Sequence, residues 1–274
     1  MKEKNKRQLA KLKYEEKKKE EEKRQKFEQE FLKGIQNEEF KVYIQGKVDA
    51  KTEKWIGGEL LVRWKKENKV IYPDEFIPLL EKYNLISKLD YYMIEKAYYY
   101  LEKWEKEKKN SVHLSINQSL LTIKEENYLE KIKEIQSSYS VLKNELEIEL
   151  TESVFVEDRF SLQETIQRLH QLKIQVSMDD FGTGYSSFHR IQDYEIDTIK
   201  LDKAFLQEER NLKKGRIVLE SMIQMCHRLG IKTVAEGVEV KEQVNFLKRI
   251  GCDLLQGYYY SKPIPMEEFE KEWN

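Results

Sequence analysis

The stretch VSMDDFGTGYSSF (176–188) sets two carboxylates, Asp179 and Asp180, side by side ahead of Gly182 and Gly184. Successive residues of an extended strand point to opposite faces, so the pair can serve one site only if the strand ends beneath them. Similar polar residues punctuate other β-rich runs. Glu59 and Arg63 lie in GELLVRW (58–64), Asn117 closes VHLSIN (112–117), and Glu149 and Glu152 lie in ELEIELTES (145–153). Lys200 and Asp202 fall in DTIKLD (197–202), Glu236 in KTVAEG (232–237) and Gln256 in LLQGYY (254–259). Taken singly, each carboxylate would more often be a cap, a turn former or a surface charge than a functional group. Gathered at one place, Glu59, Glu149, Asp179, Asp180, Asp202 and Glu236 would face only Arg63 and Lys200, and such a cluster repels itself at neutral pH unless a cation joins it. Oxygen donors without His or Cys suit Mg²⁺, Mn²⁺ or Ca²⁺ rather than zinc. Adjacent aspartates could each face one of two ions, or the first could bridge both, as two-metal hydrolysis of phosphate esters requires.

What could gather residues scattered over some 200 positions is the element pattern. With FKVYIQ (40–45) and IQVSMDD (174–180), the runs above make eight expected strands, separated by segments of helical periodicity such as PDEFIPLLEKYN, DYYMIEKAYYYLEKWEKEKK, FSLQETIQRLHQLK and GRIVLESMIQMCHRLG. Eightfold strand–helix alternation fits an α/β (β/α)₈ TIM-like barrel, whose C-terminal strand ends converge on one mouth. A doubly wound sheet also alternates and is the competing fold. Glu59 fits the barrel scheme least well, being nearer the start of its strand.

Residues 1–33 contain no Pro and hold no glycine, and their Glu and Lys blocks at three- and four-residue offsets predict a solvated helix. Within residues 1–32, twelve Lys/Arg face eight Glu, so a basic arm of +4 precedes a body of −5 in a chain of net charge −1. The expected division is a charged helical extension over 1–30 and a barrel domain over 31–274. The arm could serve a protein partner or, with less support from its sparse apolar residues, an anionic membrane surface. Near-neutral overall charge gives no footprint for a nucleic-acid polymer. Cys226 and Cys252 form no disulfide framework, no transmembrane segment or signal peptide is evident, and the four histidines (113, 170, 189, 227) follow none of the motifs, so a cytoplasmic protein is expected.

At these motifs the sequence resembles the EAL-domain family of phosphodiesterases that open cyclic di-GMP. The likeness runs from about Phe31 to the end. It rests on GGELLVRW (57–64), SIN at 115–117, ELTES at 149–153, DDFGTGYSS at 179–187, DTIKLDKAF at 197–205, VAEGVE at 234–239 and QGYYYSKPIP at 256–265. The resemblance implies two divalent cations, Mg²⁺ or Mn²⁺, with Glu59, Asn117, Glu149 and Asp179 around one and Asp179, Asp180 and Glu236 around the other. Lys200 matches the lysine that orients or deprotonates the attacking water, with Gln256 beside it. Arg63 and Gln45 match substrate contacts, Asp202 an acid near the metal waters, and Glu152 the glutamate that pins loop 181–187 near a homodimer contact. The implied reaction is hydrolysis of cyclic di-GMP to linear pGpG. A non-catalytic sensor of cyclic di-GMP that signals to a protein partner is the alternative. Tyr185, Tyr258 and Tyr259 could stack guanine, although tyrosines at strand ends more often pack the core or rim.

Two departures from the family pattern stand out. Leu60 replaces an alanine, implying a packing adjustment with its side chain turned away from Glu59. In YIQGKVD (43–49), Gly46 and Lys47 stand where the family has Pro-Ile, so looser backbone and an added cation beside Gln45 are expected to alter ligand contacts.

Overall fold

The computed structural model describes residues 2–67, 69–108, 112–141, 145–157, 159–182, 191–207 and 212–272. Its strands are β1 (Phe40–Asp49), β2 (Trp55–Lys66), β3 (Lys69–Ile71), β4 (His113–Asn117), β5 (Leu146–Thr151), β6 (Gln175–Phe181), β7 (Thr198–Leu201), β8 (Lys232–Ala235), β9 (Leu254–Gln256) and β10 (Ile264–Pro265). All eight expected strands are present. The short β3 and β10 are additions that no periodicity announced. Residues 1–41 with 62–85 form one compact unit, and 42–61 with 86–274 form a second.

In the second unit, β2, β4, β5, β6, β7, β8 and β9 pair in parallel in that order. β1 pairs with both β9 and β2, which closes the barrel. The alternation is not regular at its start. β1 runs antiparallel to β9, with Lys47 opposite Gln256. A tight turn, not a helix, joins β1 to β2. Asp49 makes that turn by accepting the backbone N–H groups of Lys51 and Thr52 at 3.1 and 2.7 Å and the Thr52 hydroxyl at 2.8 Å, a local bonding pattern for which Asp is suited.

Alternation along β5 divides its residues cleanly. Leu146, Ile148 and Leu150 belong to the apolar core, while Glu147 and Glu149, equally buried, bond across the lumen to residues of β1 and β7, which are not neighbours of β5 in the sheet. The outer layer is helical: helix 86–106 packs on β4, 159–171 on β6 and 212–228 on β8. Each presents an apolar face. Leu89, Met93, Ile94, Ala97 and Leu101 recur at helical spacing in the first of these.

The first unit contains the N-terminal helix Lys2–Gln36, which runs unbroken through the expected boundary at residue 30. Residues 11–19 of this helix are exposed, as the charge pattern predicts. Its C-terminal part is not a solvated arm. Phe31 meets Phe40 at 5.4 Å between ring centroids, Phe27 meets Trp64 at 6.3 Å, and Glu20 takes the Lys82 ammonium and the Tyr83 hydroxyl. Of the few apolar residues of the basic segment, Phe27 and Phe31 help to anchor it, while Leu12 is exposed.

The two departures from the family pattern are resolved by packing. Leu60 is buried in the core. Gly46 is not a loose point: a Cβ there would lie 1.4 Å from Trp55 Cζ3, so the indole occupies the space a side chain would need. Gly57 is more constrained, because an added Cβ would lie 1.9 Å from the carbonyl oxygen of His113 on the paired strand. Backbone cannot yield as a side-chain tip can. Gly57→Ala is therefore expected to destabilise the protein by about 3 kcal/mol, at the upper end of usual overpacking costs, measurable by urea unfolding.

Candidate active site

Lys200, at the end of β7, organises the barrel mouth. Its side chain is 1% exposed, and its ammonium lies 2.5 Å from Glu149 Oε2, 2.9 Å from Glu236 Oε1, 3.2 Å from Asp179 Oδ2 and 3.3 Å from Glu59 Oε2. Four strands thus send a carboxylate to one cation. Amides complete the ring: Asn117 Nδ2 donates to Glu59 Oε1 at 2.6 Å, and Gln256 Nε2 donates to Glu59 Oε2 at 2.7 Å and to Gln45 Oε1 at 3.2 Å. Seven residues expected from the sequence to share a pocket do so here, and Gln45 joins them through Gln256.

The adjacent aspartates reach one site by a route other than the expected one. β6 does not end beneath them but continues to Phe181. Instead Asp180 adopts φ 56°, in the left-handed region, and the register with β7 shifts between Met178 and Phe181. The irregularity re-aims a side chain that strict alternation would send away. Carboxylate oxygens of Asp179, Asp180 and Glu236 consequently lie within 4.8 Å of one another. Asp is among the few non-glycine residues that tolerate this conformation.

Glu152 accepts the Gly182 N–H at 3.0 Å on Oε2, and its own N–H donates to the Asp179 carbonyl at 2.9 Å. It therefore ties the start of loop 181–187 to the strand carrying Asp179. Residues 183–187 of that loop, with Tyr185 and with His189 beyond it, lie outside the described residues. Asp202 accepts the Ala204 N–H at 2.8 Å, capping the turn 204–207, and its charge raises the pKa of Asp180 after burial has done so. Arg63 belongs to the first unit, four residues beyond Glu59 along β2, where its guanidinium stands 5.2 Å from the centroid of Tyr72. Tyr258 and Tyr259 are exposed. His170 and His227 bond Asp197 and Asp253 at 2.8 and 2.9 Å, away from the carboxylate group.

Sequence reasoning missed where Lys47 goes. Rather than adding a cation beside the ligand contact Gln45, it is 3% exposed and spans the lumen to Ser115, Glu147 and Glu149. The two-residue period places Gln45 and Lys47 on one face of β1, which was the available signal. The length of the lysine stem and the depth of its target were not in that signal.

Electrostatics follow from this geometry. Burial opposes charge at Glu149, yet Lys200 and Lys47 hold its carboxyl down at about 2. Burial raises Glu59 and Glu236, and it pushes Asp179 up to about 7, aided by Glu149, Glu236 and Asp180 against Lys200. Six carboxylates, Glu59, Glu147, Glu149, Asp179, Asp180 and Glu236, meet two lysines, leaving four negative charges when all are ionised. The donors are carboxylate and amide oxygens, chemistry that fits hard cations.

Residues 28–263 match the EAL domain family over most of the chain. The chain belongs to the EAL-domain family. Among EAL-domain relatives, it is 32% identical over 238 residues to the signaling protein YkoW of Bacillus subtilis, covering 86% of this chain and 30% of that protein. It is 31% identical over 240 residues to the cyclic di-GMP phosphodiesterase PdeL of Escherichia coli, covering 87% of this chain and 66% of PdeL. The chain thus spans only part of the length of these relatives. The EAL-domain fold is matched by a solved structure of the PaMucR phosphodiesterase in complex with c-di-GMP, at a TM-score of 0.82 and 27% identity, over 88% of this chain and 98% of that one. No helix of the described residues is long and apolar enough to cross a membrane.

The raised carboxyl of Asp179 makes a signed prediction for the EAL barrel held in chelator. Its folded pKa of about 7 exceeds its ordinary value of 3.8, so the folded state binds the extra proton between them and loses stability as pH rises through that window. The melting temperature is expected to fall between about pH 4 and about pH 7, and Asp179→Asn is expected to flatten that fall. Differential scanning calorimetry at several pH values checks it.

Proposed function

We propose that this EAL barrel hydrolyses one phosphodiester of cyclic di-GMP to give linear pGpG, using two divalent cations, Mg²⁺ or Mn²⁺, at the carboxylate-lined mouth. The observation that carries the reading is the excess of four buried or mouth-facing negative charges over Lys47 and Lys200, joined to membership of a family with named cyclic di-GMP phosphodiesterases. Glu59, Asn117, Glu149 and Asp179 are the proposed ligands of one ion, and Asp179, Asp180 and Glu236 those of the other. Paired divalent ions would lower the pKa of a water and polarise the phosphoryl oxygens. This chain's own groups supply the orientation. Lys200 Nζ directs a hydrogen bond to the attacking water, and Gln256, fixed between Gln45 and Glu59, lines its approach.

Arg63 is assigned to the phosphate, Gln45 to the nucleotide and Asp202 to the waters near the second ion. Glu152 acts through loop 181–187, which we assign with the following helix to a homodimer contact. The segment 1–30 is assigned as an extension to the barrel domain 31–274 and as the surface for a protein partner, and the protein is placed in the cytoplasm. An acidic mouth repels a dianionic substrate until cations load, so substrate capture should follow metal occupancy.

The deciding experiment incubates purified protein with cyclic di-GMP and Mg²⁺ or Mn²⁺ and follows linear dinucleotide by chromatography. Accumulation that disappears in Glu59→Ala supports hydrolysis. Tight binding without turnover under both metals would instead support a signalling sensor. Glu152→Gln weakens a charge-assisted bond to Gly182 without removing any proposed ligand, so turnover is expected to drop by roughly tenfold while Mn²⁺ affinity holds. Full turnover in that variant would refute the loop-anchoring role.

A further inference from the structure

Below the mouth the barrel holds a second cation that the reaction scheme above does not use. Lys47 enters from the N-terminal ends of the strands, where with Asp49, His113, Glu147, Gln175 and Lys232 it lines a cavity of about 390 Å³. From there its ammonium reaches inward to Ser115 Oγ at 2.7 Å, Glu149 Oε1 at 2.8 Å and Glu147 Oε1 at 3.4 Å. Glu147 is itself fixed on its other oxygen by the Thr198 hydroxyl at 2.9 Å. Glu149 is completely enclosed, and its two oxygens are divided: Oε1 to Lys47 below, Oε2 to Lys200 at the mouth.

We infer that Lys47 is a positioning residue for catalysis, holding Glu149 from beneath so that Oε2 alone is presented to the mouth. A carboxylate turns about its last torsion over a broad, roughly two-fold range, so a buried glutamate with one oxygen unpaired has no fixed aim. Lys47 removes that freedom with a charge-assisted bond, and Ser115 and Glu147 remove the freedom of Lys47 in turn. The lysine also keeps Glu149 compensated where a lone buried charge would be costly. Partners that orient a metal-ligating carboxylate usually matter nearly as much as the ligand. The inference rests on the proposed role of Glu149 as a ligand.

Lys47→Met alone strands two buried glutamates and could unfold the barrel, so the informative variant is K47M/E147Q, which removes one charge of each sign. Its crystal structure is expected to show the Glu149 carboxylate displaced by about 1 Å or more, beyond the tolerance of a working site. Calorimetric titration with Mn²⁺ is expected to show roughly tenfold weaker binding at a melting temperature close to that of the parent. Glu149 unmoved, or Mn²⁺ bound as tightly as by the parent protein, would overturn the inference. Should the parent protein itself take up no Mn²⁺, the proposed metal chemistry falls, and the position of Glu149 in the two crystals still decides what Lys47 does.

Discussion

A barrel lumen in which lysine ammonium groups are surrounded by carboxylates is the constraint on which the rest of this structure depends. Barrel interiors of this type are commonly filled with branched apolar side chains. Here Ser115, Glu147, Glu149, Ser177, Thr198 and Lys200 are all buried, and all of these but Ser177 are joined across the lumen by bonds between non-adjacent strands. Such a lumen is stable only if each charge finds its counterpart, since an unpaired buried ion is penalised by several kcal/mol. The pairing is complete toward the N-terminal ends, where Thr198, Glu147 and Lys47 satisfy one another. It is incomplete at the mouth, where acid outnumbers base and burial drives Asp179 toward protonation. The imbalance lies where the strands end and where a ligand can enter.

Much of this was legible in the sequence because strand periodicity and barrel topology are simple geometric rules. Asn117, Asp179, Lys200 and Glu236 were marked by ending, or nearly ending, β-rich runs, and a closed sheet brings such ends together; Glu59, near the start of its run, fitted that scheme least well. Three features escaped. Asp180 shares the site through a left-handed residue and a register shift, and nothing in the local sequence distinguishes that from a strand end. Lys47 read as a mouth cation because alternation gives a face but not a depth. Gly46 read as a source of freedom, whereas the neighbouring indole of Trp55 already fills its place. Each miss concerns contact between residues distant in the chain or a backbone irregularity.

The N-terminal segment gives a related lesson. Its high charge and regular Glu–Lys offsets describe its exposed half correctly, but composition averages hid the roles of Phe27 and Phe31. Two aromatic rings at a helical four-residue spacing, together with the ion pairs of Glu20 with Lys82 and Glu30 with Lys66, anchor the end of a long polar helix. One continuous helix thus has an exposed stretch, with Leu12 and Tyr14, and a packed end that carries Phe27 and Phe31.

Asp180 is restricted twice over, by torsion and by charge. A left-handed φ of 56° admits Gly, Asn and Asp far more readily than other residues, and only the last of these is anionic. A β-branched or bulky replacement there would add backbone strain to any effect on ion binding. Asparagine offers the one near-isosteric neutral exchange, giving protein engineers a means to retune the barrel's electrostatic valence while leaving its scaffold undisturbed.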